Sequence, residues 1–295
     1  MAGGGSVRAI RDRIRSVSST AKVTRAMELV AASKMRRAQE RALASRPYSE
    51  QMIAVLSQLA TFTAGGDGAL LHPLLEQREV KSLAYIHITA DRGLAGGLNS
   101  NMNRAGASML LEYQPHVDRL SVIPAGRKGR DFFRRSGMSI TAEFGELGDF
   151  PAFEDVRPIA RVVIDDFLSG KVDQVMIGYQ RFVNAAVQRP TIKQILPVQP
   201  PSGEAAKPVD FIFEPSPKEL LATLLPRFVE MQIYAAVLEA RASEQSARMV
   251  AMRQATDAAK EMVGDLTLAY NKARQEGITG ELLDIVGGVA ALEGK

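Results

Sequence analysis

The chain has 295 residues, 46% of them hydrophobic and 24% charged, with a formal net charge of +4. It has no cysteine, which excludes disulfides, thiolate catalysis and Cys-based metal sites. His72, His87 and His116 stand too far apart to share a helix face, which argues against a His-rich metal site.

The positive charge is concentrated near the start. From Ser6 to Arg46 there are eleven Lys and Arg against three Asp and Glu, whereas Arg241–Lys295 has seven against eight. An acidic protein, a nucleic acid or an anionic membrane would each answer such an excess. No aromatic side chain lies between Ser6 and Arg46 to stack on bases, so nucleic acid is not expected. The opening MAGGGSVRAIRDR lacks the apolar core of a signal peptide. The longest uncharged apolar-leaning run, 51–66, is too short and too rich in Gln, Ser and Thr to span a bilayer. A cytoplasmic protein is expected.

From Ser6 to about Thr61 helix formers run without an internal glycine, and Pro47 is expected to bend or divide them. Val7, Ile10, Ile14, Val17 and Ala21 recur at alternating spacings of three and four, a heptad seam. Arg8, Arg11, Arg15 and Lys22 fall on another face. At 1.5 Å per residue the segment is roughly 80 Å long. Its stretch TRAMELVAASKMRRA (24–38) carries a stripe of Met27, Val30, Ala31 and Met35. Ala26, Leu29, Ala32 and Ala38 spread apolar surface around the remainder, punctuated by Arg25, Lys34, Arg36 and Arg37. Such a helix needs cover on more than one side.

The middle, about Lys81 to Gln199, alternates strand and helix signals. Strands are expected at 82–90, 119–125, at MSITAEF (138–144), and at QVMIGYQRFV and TIKQILPV, the last two as a hairpin. Helices are expected at 99–113 with an Asn or Ser cap, at 128–136, and at 155–170 with Pro158 in the first turn. The alternation predicts a layered, Rossmann-like α/β domain with a largely parallel sheet. Residues 197–208 read as a linker. The glycine-rich loop ITADRGLAGGLN (88–99) sits where a phosphate cradle would lie, but its glycines do not follow G-x-G-x-x-G and no Walker Lys-Ser/Thr follows. A tight turn with Asp91 and Arg92 bonding locally is the plainer expectation. The acidic pairs Asp165–Asp166 and Asp149/Glu154 read as solvated surface, and no catalytic, cofactor or metal set assembles.

A second long helix follows. Ser216 can cap it, with Pro217 and Glu219 suited to its first turn. From Leu224 through Phe228, Met231, Ala235, Leu238, Ala242, Gln245, Met249, Met252, Thr256, Ala259, Val263, Leu266 and Tyr270 to Ala273 the spacing alternates four and three without a break, predicting a supercoil with a partner helix. Pro226 is expected to bend it. Past Gly277 the seam resumes out of phase as Ile278, Leu282, Ile285, Val289 and Leu292. The expected architecture is a long antiparallel two-helix coiled coil, made by 1–61 and 210–295, with the α/β domain of 62–209 inserted between. The two chain ends are expected to build a rod tip too apolar to stand bare in water, one that another protein sleeves. An NAD(P)-dependent oxidoreductase using the glycine-rich loop, and a coiled-coil scaffold without moving parts, both remain compatible with these residues.

Six stretches in this order resemble the gamma-subunit family of F-type ATP synthases, bacterial form: KVTRAMELVAASKMRRAQ (22–39), ASRPY (44–48), TADRGLAGGLN (89–99), FEPSPKELL (213–221), ASEQSARMVAMRQATDAA (242–259) and LAYNKARQEGITGELLDIVGG (268–288). The resemblance implies a non-catalytic central rotor shaft, one copy per complex, that couples ion-driven rotation of a membrane ring to ATP synthesis or hydrolysis. Its implied partners are three alpha and three beta subunits, the epsilon subunit and the c-ring, at the cytoplasmic face of the bacterial membrane. Met27, with Arg25, Lys34, Arg36 and Arg37 nearby, matches the segment facing an acidic loop of beta. Arg274, Gln275 and Thr279 match a segment meeting a second beta loop, and Glu214 the foot near the ring. Ala95 stands where many relatives have cysteine, and ATDAAKEM replaces a commoner ATDNA. The thiol-bearing regulatory insert of chloroplast forms is missing.

Overall fold

A computed structural model describes residues 3–64, 72–145, 147–199 and 216–293. Two helices dominate, α1 (Gly3–Ala64) and, last in the chain, α5 (Pro217–Glu293). Pro47 and Pro226 lie inside them and divide neither, which removes one of the two alternatives expected for Pro47. The Ser216 hydroxyl caps α5 by accepting from the Glu219 N–H at 3.3 Å. A window of α5 reaches a mean hydropathy of 1.3, a composition shared by membrane spans and core helices.

The chain forms two compact units, one of Met1–Val30 with Met249–Lys295, the other of Ala31–Arg248. In the first, the heptad seam is visible as burial. Val7, Ile10, Ile14, Val17 and Ala21 are half-buried, and Thr24 and Glu28 buried, among mostly exposed neighbours. On α5, Met252, Thr256 and Ala259 are buried, and Val263, Leu266, Tyr270 and Ala273 half-buried. The Thr24 and Thr256 hydroxyls meet at 2.7 Å, which explains why a polar pair is tolerated in the seam: each satisfies the other. Val30 of the apolar stripe, and the expected resumption of the seam past Gly277, are left uncovered here. Val30 is off the seam and 54% exposed, because the period through Thr24 and Glu28 continues to Ala31. The resumed stripe Ile278, Leu282, Ile285 and Val289 is exposed, at 52, 57, 63 and 49%. The seam instead runs four residues on, from Ala273 to half-buried Gly277, so the shifted phase lands on the outside. The side chain of Leu292 lies outside the described residues.

The second unit is built on a sheet ordered β2-β1-β3-β4: β1 Ser82–Ile88, β2 Arg119–Ala125, β3 Gln174–Phe182 and β4 Gln188–Leu196. β1 pairs in parallel with β2 and β3, and β3 with β4 in the expected antiparallel hairpin. The helices are α2 (Leu98–Tyr113), α3 (Arg127–Arg135) and α4 (Phe153–Leu168). MSITAEF is not a strand. It pairs with β2 in two isolated bridges, Ile140 opposite Val122 and Phe144 opposite Ala125. Four steps along the chain on one side span three on the other, a mismatch that breaks the ladder. α2 begins after Gly97 with no side-chain cap; the Asn99 carboxamide oxygen accepts from the Ala90 N–H at 3.0 Å instead. α4 starts at Phe153, where the Asp155 carboxylate accepts from the Ala152 N–H at 2.8 Å. Pro158 therefore falls in its second turn.

Alternation along β1 sorts the layers. Leu83 and Tyr85 join Met109 and Leu110 of α2 and Phe133 of α3 on one face. Ala84, Ile86 and Ile88 join α4, the Leu221–Ala240 part of α5, and Met52 and Leu56 of α1 on the other. Asp149 receives Lys34 of α1 and Gln245 of α5. Met52 and Leu56 share a cluster with Leu221 and Leu225. Ascending α1 is thus descending α5, and the helices are antiparallel.

His87 is fully buried between the Tyr85 hydroxyl at 3.1 Å and the Asn103 carboxamide oxygen at 2.9 Å. Burial lowers its pKa to about 4, against the opposing pull of Asn103. The unfolded chain, titrating near 6.5, binds the proton that the folded chain refuses. Stability is therefore full above pH 6.5, falls as pH drops towards 4 and levels off below. At most about 3 kcal/mol is involved. Urea unfolding of the parent and His87→Gln at pH 7 and 4.5 should show a shallower pH dependence in the variant.

Candidate partner-binding surfaces

In the first unit, Arg25 is exposed on α1, 2.7 Å from Glu28, and Met27 beside it is half-buried. Val23, Leu29 and Val30 are exposed to 57, 57 and 54%, an apolar surface that α5 does not cover. Arg274, Gln275 and Thr279 are exposed on α5. Gln275 and Thr279 are four residues apart and share a helix face. The same stretch exposes Ile278, Leu282, Leu283, Ile285 and Val286.

In the second unit Arg36 and Arg37 are exposed on α1. Lys34 is half-buried and paired. Its ammonium lies 2.6 Å from Asp149 and serves an internal bridge. Burial opposes ionisation of Asp149, but the hydrogen bond and charge of Lys34 outweigh it and hold the carboxyl below its ordinary range. Asp149 is thus paired across the fold, although its side chain stays 39% exposed. Nothing local could have shown this, because its partners are 115 and 96 positions away. Glu214 lies outside the described residues.

The glycine-rich turn is also differently engaged. Asp91 does not bond locally: it accepts from the Arg127 N–H at 3.0 Å and faces Arg241 at 3.4 Å. Its carboxylate thus occupies the start of α3, a position where helix N–H groups favour anions. Arg92 is exposed. In open α/β sheets ligands bind outside the strand ends where the strand order reverses, here between β1 and β3. That crevice holds α5. The cavity left among Ile88, Thr89, Asn99, Gln180, Arg241 and Glu244 is about 10 Å³, room for a single water molecule and far short of a dinucleotide. Among the described residues no three His, Asp or Glu side chains gather to hold a metal ion.

A sequence model of the ATP synthase family matches residues 6–292. The ATP synthase gamma chain of Dehalococcoides mccartyi (strain ATCC BAA-2266 / KCTC 15142 / 195) is 56% identical over 286 residues, covering 97% of this chain and 99% of that one. That of Roseiflexus castenholzii is 52% identical over 288 residues, covering 97% and 98%. Among solved structures, a chain of the Euglena gracilis mitochondrial ATP synthase in rotational state 3 superposes with a TM-score of 0.67 at 22% identity, covering 98% of this chain and 95% of that one. A chain from the central stalk and c-ring of the Tetrahymena thermophila enzyme gives 0.59 at 23%, covering 79% and 99%. At these identities the solved structures speak for the fold, and the bacterial relatives for the family. The chain belongs to the ATP synthase gamma-chain family.

Proposed function

We propose that this chain does no chemistry itself and contributes to ATP synthesis mechanically. One copy stands within three alpha and three beta subunits, which bind the nucleotides. The epsilon subunit and the c-ring attach to the α/β domain at the cytoplasmic face of the bacterial cell membrane. The working division is a helix of 1–61, an α/β domain of 62–209 and a helix of 210–295. The observation that carries this reading is the end of α5, where Ile278, Leu282, Leu283, Ile285, Val286 and Val289 are all 49–67% exposed on a helix. Water does not favour such a surface, and a sleeve of other subunits does.

Arg25, Met27, Arg36 and Arg37 face the acidic loop of beta, joined by Lys34 only if its bridge to Asp149 opens. Arg274, Gln275 and Thr279 face a second beta loop, and Glu214 approaches the ring. An asymmetric shaft touches three identical beta subunits differently, so each orientation favours a different nucleotide state. That difference is a coupling free energy carried by contacts. A reconstituted complex containing this chain, with a bead on the α/β domain, tests the reading. It should turn during ATP hydrolysis, and hydrolysis without turning would reject it.

Exposed ion pairs contribute about 0–1 kcal/mol each. Single changes Arg36→Ala or Arg37→Ala should therefore lower ATP-driven ion pumping only mildly, and loss of rotation from either would contradict the shape-based account. Deleting Gly277 turns every later side chain by about 100°. ATP synthesis by that variant should fall relative to its hydrolysis. An unchanged ratio would mean that the exposed end of α5 has no oriented contacts.

A further inference from the structure

The run RASEQS (241–246) of α5 is charged and polar, yet Arg241, Ala242, Ser243, Glu244, Gln245 and Ser246 are each at most 5% exposed. A helix that is polar and buried all round needs partners on every side. At about 100° per residue, Arg241 and Arg248 point one way, and Ser243 and Ser246 the opposite way. On the first side the β1–α2 turn supplies the Asp91 carboxylate, 3.4 Å from Arg241 Nη2, and the Gly93 carbonyl, 3.4 Å from Arg248 Nη2. Glu244 binds both guanidiniums, at 2.7 and 2.8 Å, and sets their orientation. On the second side lies the β3–β4 hairpin. Ser243 donates to the Gln180 carbonyl at 2.8 Å and Ser246 to the Ala185 carbonyl at 2.6 Å. Gln188 donates to the Ser246 hydroxyl at 3.3 Å.

Apolar packing is non-directional, so a helix held by it alone exchanges one contact for another as it turns. Hydrogen bonds weaken steeply once misaligned. Bonds on opposite sides of the helix act as a couple: turning α5 about its axis breaks both sets together.

We propose that the β1–α2 turn and the β3–β4 hairpin form a two-sided grip on residues 241–248 that keeps α5 from turning about its own axis under load. Arg241, Ser243, Ser246 and Arg248 are its positioning residues. The grip rests on the rotor reading above, but it acts within the domain and touches no other subunit.

The test uses the whole ATP synthase in membrane vesicles, measuring ions pumped per ATP hydrolysed as the opposing ion gradient is raised. Ser243→Ala with Ser246→Ala removes the hairpin side while leaving every charge in place. Without a gradient its ratio should equal the parent's. At the steepest gradient it should fall at least about twofold, since each lost bond weakens the hold several-fold. Gln188→Ala, altered on the hairpin and not on the helix, should show a smaller loss in the same direction, and it decides the matter if the double variant fails to assemble. A parent that pumps under load, with variants indistinguishable from it, overturns the grip alone. A parent that pumps nothing overturns the rotor reading, and the grip with it.

Discussion

One constraint organises the molecule: α5 is a single uninterrupted helix that must suit a different neighbourhood at each stage of its length. Through Leu221–Ala240 it is part of the apolar core against the sheet and α4, where each fully buried large side chain contributes about 1.5–3 kcal/mol. Over 241–246 it is buried but polar. From Ala258 to Gly277 only the heptad positions are covered, and from Ile278 to Val289 none is. A helix cannot change direction to find new partners. Its sequence has to change character instead, from apolar to polar to striped to exposed apolar.

That succession explains what could be read in advance and what could not. Heptad spacing is local, so the seam from Leu224 to Ala273 was legible residue by residue, and all of its positions are buried or half-buried. Periodicity states that a face is covered but not by whom. Hence Ile278, Leu282 and Ile285 read as the seam resuming out of phase, though they stand exposed. The strand pattern of β1 to β4 was equally legible because alternation is local. MSITAEF failed because pairing depends on the partner strand, and the spacing mismatch against β2 appears only in three dimensions. Asp91 was misplaced for the same reason, and the Lys34–Asp149 pairing was illegible, since the partners are distant in sequence.

The charges divide along the same line. Arg25, Arg36 and Arg37 stay in solvent, where an ion pair is worth little and the charge remains available. Lys34, Asp149, Asp91, Arg241, Glu244 and Arg248 are withdrawn from water to varying degrees and paired inside the second unit. Withdrawal has a desolvation cost that only good geometry offsets, so such groups are weak evidence of stability and better evidence of a fixed arrangement.

The crevice between β1 and β3 shows what that arrangement replaces. A layered α/β sheet presents a ligand site at this point by topology alone. Here the chain fills it with its own groups: Asp91 stands at the start of α3 where an anion would bind, and Arg241 and Glu244 close the opening. A mobile ligand in that position would make the hold on α5 depend on occupancy. Side chains fixed in sequence make it permanent, which is what the proposed force-transmitting role requires.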